Sequence, residues 1–415
     1  MYRVSPFVRH FAWALLGGAL LSTLWVNLSP ASYYDAIEWR LADLNLPGWM
    51  ATTPVSLTPV MLVANGLMAL FVAFIGKELW EAVVLERGPL VGRASAALPV
   101  GAVLGGMAGA VAVWLAVGAA IETAEEAGFG TGWPVPLGGD VVLCYVIGRR
   151  VFGAGHPALH LLLLVAIAHD LLALLILGIG YPTSALQPVW LALPLLASGG
   201  VWWLVGRQAR PNATEVQHRR AFALWPYVLA GGVSWVGVAL SGLPPSLGLL
   251  PVIPAIPHAA RTFGLFAEAE GLLHDPLNRL ARLLVRPLAL VLFAFGLTRG
   301  GIDLQALAPT TGTVLAALWI GKPLGVVAGA LLAAMVTGGG LPAGIRLRDL
   351  ALIGAICGIG FTVPLLTLDT ALPGGVMAEA ARMGLAISLL AGPAALLLAA
   401  ILRRGRPTPK LSQKM

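Results

Sequence analysis

Leu161-Leu-Leu-Leu-Val-Ala-Ile-Ala-His169-Asp170-Leu-Leu-Ala-Leu-Leu175 is an apolar run with one histidine and one aspartate at its centre. The run extends over residues 158–179, about the 20 residues needed to cross the hydrocarbon core of a bilayer. An ionisable side chain at that depth is costly and is kept with a partner and a purpose. This stretch therefore reads as a membrane span built around a chemical group, and the rest of the chain is read outward from it.

Composition agrees. Of 415 residues, 58% are hydrophobic and only 11% charged, against about a quarter charged in soluble domains. The net charge is +7, but no basic run interleaves with aromatics, so nucleic acid is not an expected partner. Cys144 and Cys357 lie inside apolar stretches without metal-ligand spacing and read as packing residues. The apolar run behind Arg3, Arg9 and His10 has no small-residue cleavage site after it and reads as a retained helix.

Twelve spans are expected, near 11–28, 60–83, 95–118, 133–150, 158–179, 184–205, 221–240, 243–257, 284–298, 311–336, 350–368 and 377–402. The eighth is the weakest, because Pro244, Pro245, Pro251, Pro254 and Pro257 crowd it. Alternate loops test this count. Of the 26 Lys and Arg, only Arg40, Arg299 and Arg382 fall on the outer side, while Lys77 and Lys322 lie within or at the ends of spans. Both chain ends are then cytoplasmic, with 403–415 a cytoplasmic tail, and 1–415 forms one transmembrane domain. The outer segment 29–59 reads either as an ordinary loop or as a small hairpin at a dimer contact. Glu122, Glu125 and Glu126 read as a solvated outer loop.

Few ionisable groups remain at membrane depth. Asp140 ends Gly132-Trp133-Pro134-Val135-Pro136-Leu137-Gly138-Gly139-Asp140, where two prolines and two glycines argue against a continuous helix. Broken helices at mid-membrane expose backbone groups and mark transporter sites. Asp140 reads as a cap that neutralises the positive end of a half-helix and as part of the site. Asp170 must bind a cation or carry a proton, and alternation between the two is the chemistry of cation/proton exchange. His169 reads as a second titrating group or as a neutral hydrogen-bonded one. Lys322, in Ile320-Gly321-Lys322-Pro323-Leu324-Gly325, needs a carboxylate, or the carbonyls of a broken helix end, or must lose its proton. Cys357-Gly358-Ile359-Gly360-Phe361-Thr362-Val363-Pro364 marks a second interrupted helix, with small-residue packing the alternative. Lys77 and Glu81 are four apart and pair on one helix face, at a solvated helix end or an ion-entry funnel.

These motifs resemble, in order from about residue 60 to 400, the NhaA-type sodium/proton antiporters. Asn65-Gly66-Leu67-Met68-Ala69 with Glu78 is similar to the family's second helix, and Gly132 through Asp140 to its fourth. Ala168-His169-Asp170-Leu171 stands at its paired aspartates, Leu292-Phe293-Ala294-Phe295 at its ninth helix, Gly321 through Gly325 at its tenth, and Cys357 through Thr362 at its eleventh. The resemblance implies inverted repeats and two crossing broken helices, with Gly139, Gly358, Gly360 and Thr362 at the break. It implies that Asp140 and Lys322 compensate helix-end dipoles and that Asp170 is the ion- and proton-binding carboxylate. It implies a cytoplasmic funnel at Glu78 and Glu81, a homodimer, and a bacterial inner membrane.

The departures are specific. His169 replaces the first paired aspartate, which in the family pairs with the lysine, so Lys322 must find Asp140 or Asp170 or become neutral. Gly139 replaces a threonine and Asn65 an aspartate. Ala281, Arg282 and Arg286 stand in the pH-sensing region, and Pro244 at a histidine position. The expected function is exchange of a monovalent cation, sodium or lithium, for protons. No cofactor, no enzyme activity, no soluble protein partner and no partner but membrane lipid and a second copy are expected. Asp170, with His169 and Asp140, is the expected ion and proton site. An anion or organic solute as substrate, suggested by His169 beside Lys322, and a non-transporting sensor are the alternatives. Which ion moves, and with how many protons, is left open.

Overall fold

The computed structural model describes residues 6–44, 55–85, 93–121, 129–182, 186–209, 214–259, 265–267, 272–338, 340–342, 344–372 and 374–404. Glu122, Glu125, Glu126 and most of the tail lie outside them. Among the described residues, nine helices are long and apolar enough to cross a membrane. They are α1 (Phe7–Leu28), α2 (Pro59–Val84), α3 (Arg93–Ala120), α5 (Pro157–Gly180), α6 (Pro188–Ala209), α7 (Glu215–Ser241), α8 (Pro276–Arg299), α9 (Pro309–Thr337) and α12 (Gly375–Leu402). Between α3 and α5 lies the shorter α4 (Val141–Phe152). A bent pair, α10 (Leu347–Cys357) and α11 (Thr362–Ala371), forms a further crossing with a 52° angle at its break.

Helix starts follow capping chemistry. Thr58, His156 and Asp275 each accept a backbone N–H from the first turn and each precedes a proline at the first helical position, where a missing N–H costs nothing. Large apolar side chains such as Trp13, Leu195 and Val336 are 70–79% exposed, an outer surface suited to lipid and not to water.

Besides the eleventh, which is the bent pair α10–α11, two of the twelve expected spans are not continuous helices. The fourth is two short 3₁₀ turns, an extended Gly138, and then α4. The eighth is a pair of 3₁₀ turns at Pro245–Leu247 and Leu250–Ala255. In both, prolines withhold the N–H groups that an α-helix needs.

The outer segment carries a short helix, Pro30–Ile37, and two strands, β1 (Ala42–Leu44) and β2 (Val55–Leu57), paired antiparallel with Asp43 opposite Ser56. Ser56 Oγ donates to Asp43 Oδ1 at 2.6 Å. Tyr33 ties this segment to α8 by donating to the Leu297 carbonyl at 3.2 Å. Burial pushes the Tyr33 hydroxyl up to about 12, so it remains a donor.

Helices α3 and α9 pack backbone to backbone. Gly101, Gly105 and Gly109 face Gly329, Gly325 and Gly321 so tightly that a Cβ on any of the first three would strike the facing backbone carbonyl. This is small-residue packing at four-residue spacing. It holds α9, and with it Lys322, against the centre of the molecule.

Candidate functional site

The two breaks meet. Asp140 is the N-cap of α4, where its Oδ1 accepts the Leu143 N–H at 2.8 Å. Its Oδ2 accepts the Thr362 N–H at 3.3 Å and the Thr362 hydroxyl. Thr362 is the first residue of α11. One fully buried carboxylate therefore caps two half-helices, satisfying N–H groups that have no intrahelical partner and facing two positive helix ends. The sequence reading of Asp140 as a cap is matched here, and the cap joins the two broken helices.

Lys322 serves the opposite polarity. A π-helical turn, Ala317–Gly321, leads into it. Pro323 follows and cannot donate to the carbonyl four residues back, which a π turn accommodates. The ammonium, fully buried, donates to the Pro136 carbonyl at 3.1 Å and to the Gly138 carbonyl. These are carbonyls that the break in the fourth span frees. Among the described residues no carboxylate lies within 4.0 Å of the Lys322 ammonium. Of the two partners allowed by sequence, the carbonyls of the broken helix end are the ones Lys322 meets.

Asp170 faces the same break from α5. Its Oδ1 accepts the Gly139 N–H at 2.6 Å. Its Oδ2 is buried with no hydrogen-bond partner among the described residues, a costly state for a carboxylate oxygen. Gly139 sits at the centre: a Cβ there would stand 3.6 Å from Asp170 Oδ1, 3.6 Å from the Ile359 carbonyl oxygen and 3.9 Å from Lys322 Nζ. The missing side chain leaves carboxylate, carbonyl and ammonium around one backbone position.

His169, on the neighbouring face of α5, points to α3. Its Nε2 lies 3.1 Å from the Val103 carbonyl oxygen, and an acceptor there requires the ring to donate. Gly106 makes room, since a Cβ on it would come within 2.8 Å of the ring. The hydrogen-bonded reading of His169 is the one this geometry matches. The second break has a support that sequence reasoning missed: Ser388 Oγ lies 3.1 Å from both the Gly360 N and O, while Gly358 lets the chain pass the Leu318 carbonyl closely. A serine in the middle of the last span, beyond Glu379 and Arg382 at its start, was the available signal.

Glu78 and Glu81 do not line an open funnel. Lys77, Glu78 and Glu81 are only 2–3% exposed. Lys77 Nζ lies 3.1 Å from Glu78 Oε1 and 3.0 Å from Glu81 Oε2. Glu78 Oε2 accepts the Phe266 N–H at 2.7 Å, and Asn278 donates to Glu81 at 3.2 Å. The segment at 265–267 and the start of α8 cover these carboxylates, which sequence spacing alone could not reveal.

A helical membrane protein in which two interrupted helices meet at a buried carboxylate and ammonium has the architecture of the secondary transporters. The model of one family, Na+/H+ antiporter 1, matches residues 9–401, and the chain belongs to that family. It is 41% identical over 399 residues to the Na+/H+ antiporter NhaA of Jannaschia sp. (strain CCS1), covering 92% of this chain and 94% of the relative. It is 33% identical to Na+/H+ antiporter NhaA 2 of Pelobacter propionicus, covering 95% and 97%. Among solved structures it shares its fold with the sodium proton antiporter MjNhaP1 of Methanocaldococcus jannaschii, with a TM-score of 0.51, 14% identity, and coverage of 95% and 98%.

Proposed function

We propose that the chain exchanges a monovalent cation, sodium or lithium, for protons, with Asp170 holding ion and proton in turn. The observation that carries this reading is Asp170 Oδ2, a buried carboxylate oxygen with no hydrogen-bond partner among the described residues. A desolvated carboxylate in that position is relieved by a proton or by a cation, and the two exclude one another. Asp140 holds the half-helices together and Lys322 neutralises the carbonyl end of the break, so neither needs to leave its partners for the ion to bind. Family membership and the relatives named as Na+/H+ antiporters support the same exchange. The anion reading loses its motive, because His169 and Lys322 are each turned to a backbone carbonyl and present no cationic pair. We also infer an inner-membrane homodimer with both ends cytoplasmic and the β1–β2 pair at the dimer contact.

The test uses proteoliposomes with an imposed pH gradient. Sodium or lithium should dissipate it, and Asp170→Asn should reduce this to the rate of empty vesicles. Wild-type vesicles unresponsive to sodium, lithium and potassium would sink the proposal.

A further inference from the structure

Between α1, α4 and α12 lies a cleft of about 660 Å³, within the ~300–1,000 Å³ range of small-molecule sites. Its floor is apolar and buried, with Ile359 1% exposed. Its rim includes Trp13, 70% exposed, and Arg9, Arg149 and Arg150. Arg9 and Arg150 are exposed. Arg149 donates to the Tyr145 hydroxyl at 2.8 Å. Among the described residues none of the three arginines has a carboxylate within 4.0 Å.

Three guanidiniums at the edge of an apolar cleft call for an amphiphile with an anionic head. A free anion would leave the apolar wall unused. A zwitterionic lipid would gain little from three cations. Guanidinium groups bind phosphate through paired N–H donors, and basic pockets between helices on the positive side of a membrane suit anionic head groups. An exposed tryptophan at the rim matches the headgroup level. We propose that this cleft binds an anionic phospholipid of the surrounding bilayer, an acyl chain against Ile147 and Ile359 and the phosphate on Arg9, Arg149 and Arg150. The reading is independent of which ion the protein carries.

Native mass spectrometry tests it on the full chain in mild detergent, with equal amounts of phosphatidylglycerol and phosphatidylcholine. The wild type should retain phosphatidylglycerol preferentially. Arg149→Gln with Arg150→Gln should lower that preference by about tenfold or more. Arg219→Gln with Arg220→Gln, at the exposed start of α7, should leave it intact. Ile147→Trp, which fills the cleft and keeps the arginines, should displace the lipid. Absence of a preference in the wild type, an equal loss in the Arg219/Arg220 control, or displacement by inorganic phosphate as effective as by added phosphatidylglycerol would each overturn the proposal. Matching size-exclusion profiles and thermal transitions confirm that the arginine variants are folded.

Discussion

Thr362 is the side chain on which the meeting of the two breaks turns. Its hydroxyl and its N–H both go to Asp140 Oδ2, across 222 positions of sequence. Thr362→Val keeps the shape and removes the hydroxyl. A hydrogen bond to a charged group contributes about 1.5–3 kcal/mol, so the protein should lose stability of that order, read as a lower melting temperature in detergent, and exchange should slow. Thr362→Ser should restore both; an unchanged melting temperature in Thr362→Val would refute the double cap. The ionisable residues here were legible because charge at membrane depth is expensive whatever the packing. Their partners were not. Lys322 finds the carbonyls of Pro136 and Gly138, and Ser388 finds Gly360, only once remote spans have been packed together.

The packing of α3 on α9 decides where Lys322 stands. Gly105 lies against the backbone of Gly325 and Gly329, so Gly105→Val must push the helices apart. Overpacking of this kind costs about 1–3 kcal/mol, and the displaced Lys322 should also lower the exchange rate. Gly17→Ala is the matched control, because nothing lies within 4 Å of a Cβ there, and its melting temperature should hold or rise. Equal transitions for the two variants would show that the contact is not tight. This helix pair could have been read from sequence, since Gly101, Gly105 and Gly109 and Gly321, Gly325 and Gly329 recur every fourth residue. The interrupted helices were read for a similarly local reason, proline and glycine being local breakers. The π turns at Leu62–Leu67 and Ala317–Gly321 were not. The first is steadied by Trp235, which donates to the Asn65 carbonyl at 2.9 Å from another helix, a contact no local pattern encodes.

For the molecule as a whole, charge accounting sets the coupling. The alternation of arginine-rich and arginine-poor loops predicts twelve crossings, because it depends on the bilayer and not on packing; among the described residues nine helices and one bent pair are long and apolar enough to cross. Closure of the Lys77–Glu78–Glu81 cluster depends on a distant segment folding over it, and was not legible. Within the break, Asp140 is occupied by two helix ends, Lys322 by two carbonyls and His169 by Val103, so on the proposed mechanism Asp170 alone would trade a proton for a cation. One proton leaving as one monovalent cation enters moves no net charge. In proteoliposomes clamped with potassium and valinomycin, an imposed membrane potential should therefore leave the sodium-driven rate unchanged. His169→Asp places a second carboxylate beside the first and removes the ring that donates to Val103. That variant should become sensitive to the potential, since a second titrating group lets more than one proton move per cation. A wild type already driven by the potential would mean that another group in the break releases a proton, and Asp140→Asn would then be the variant to examine first.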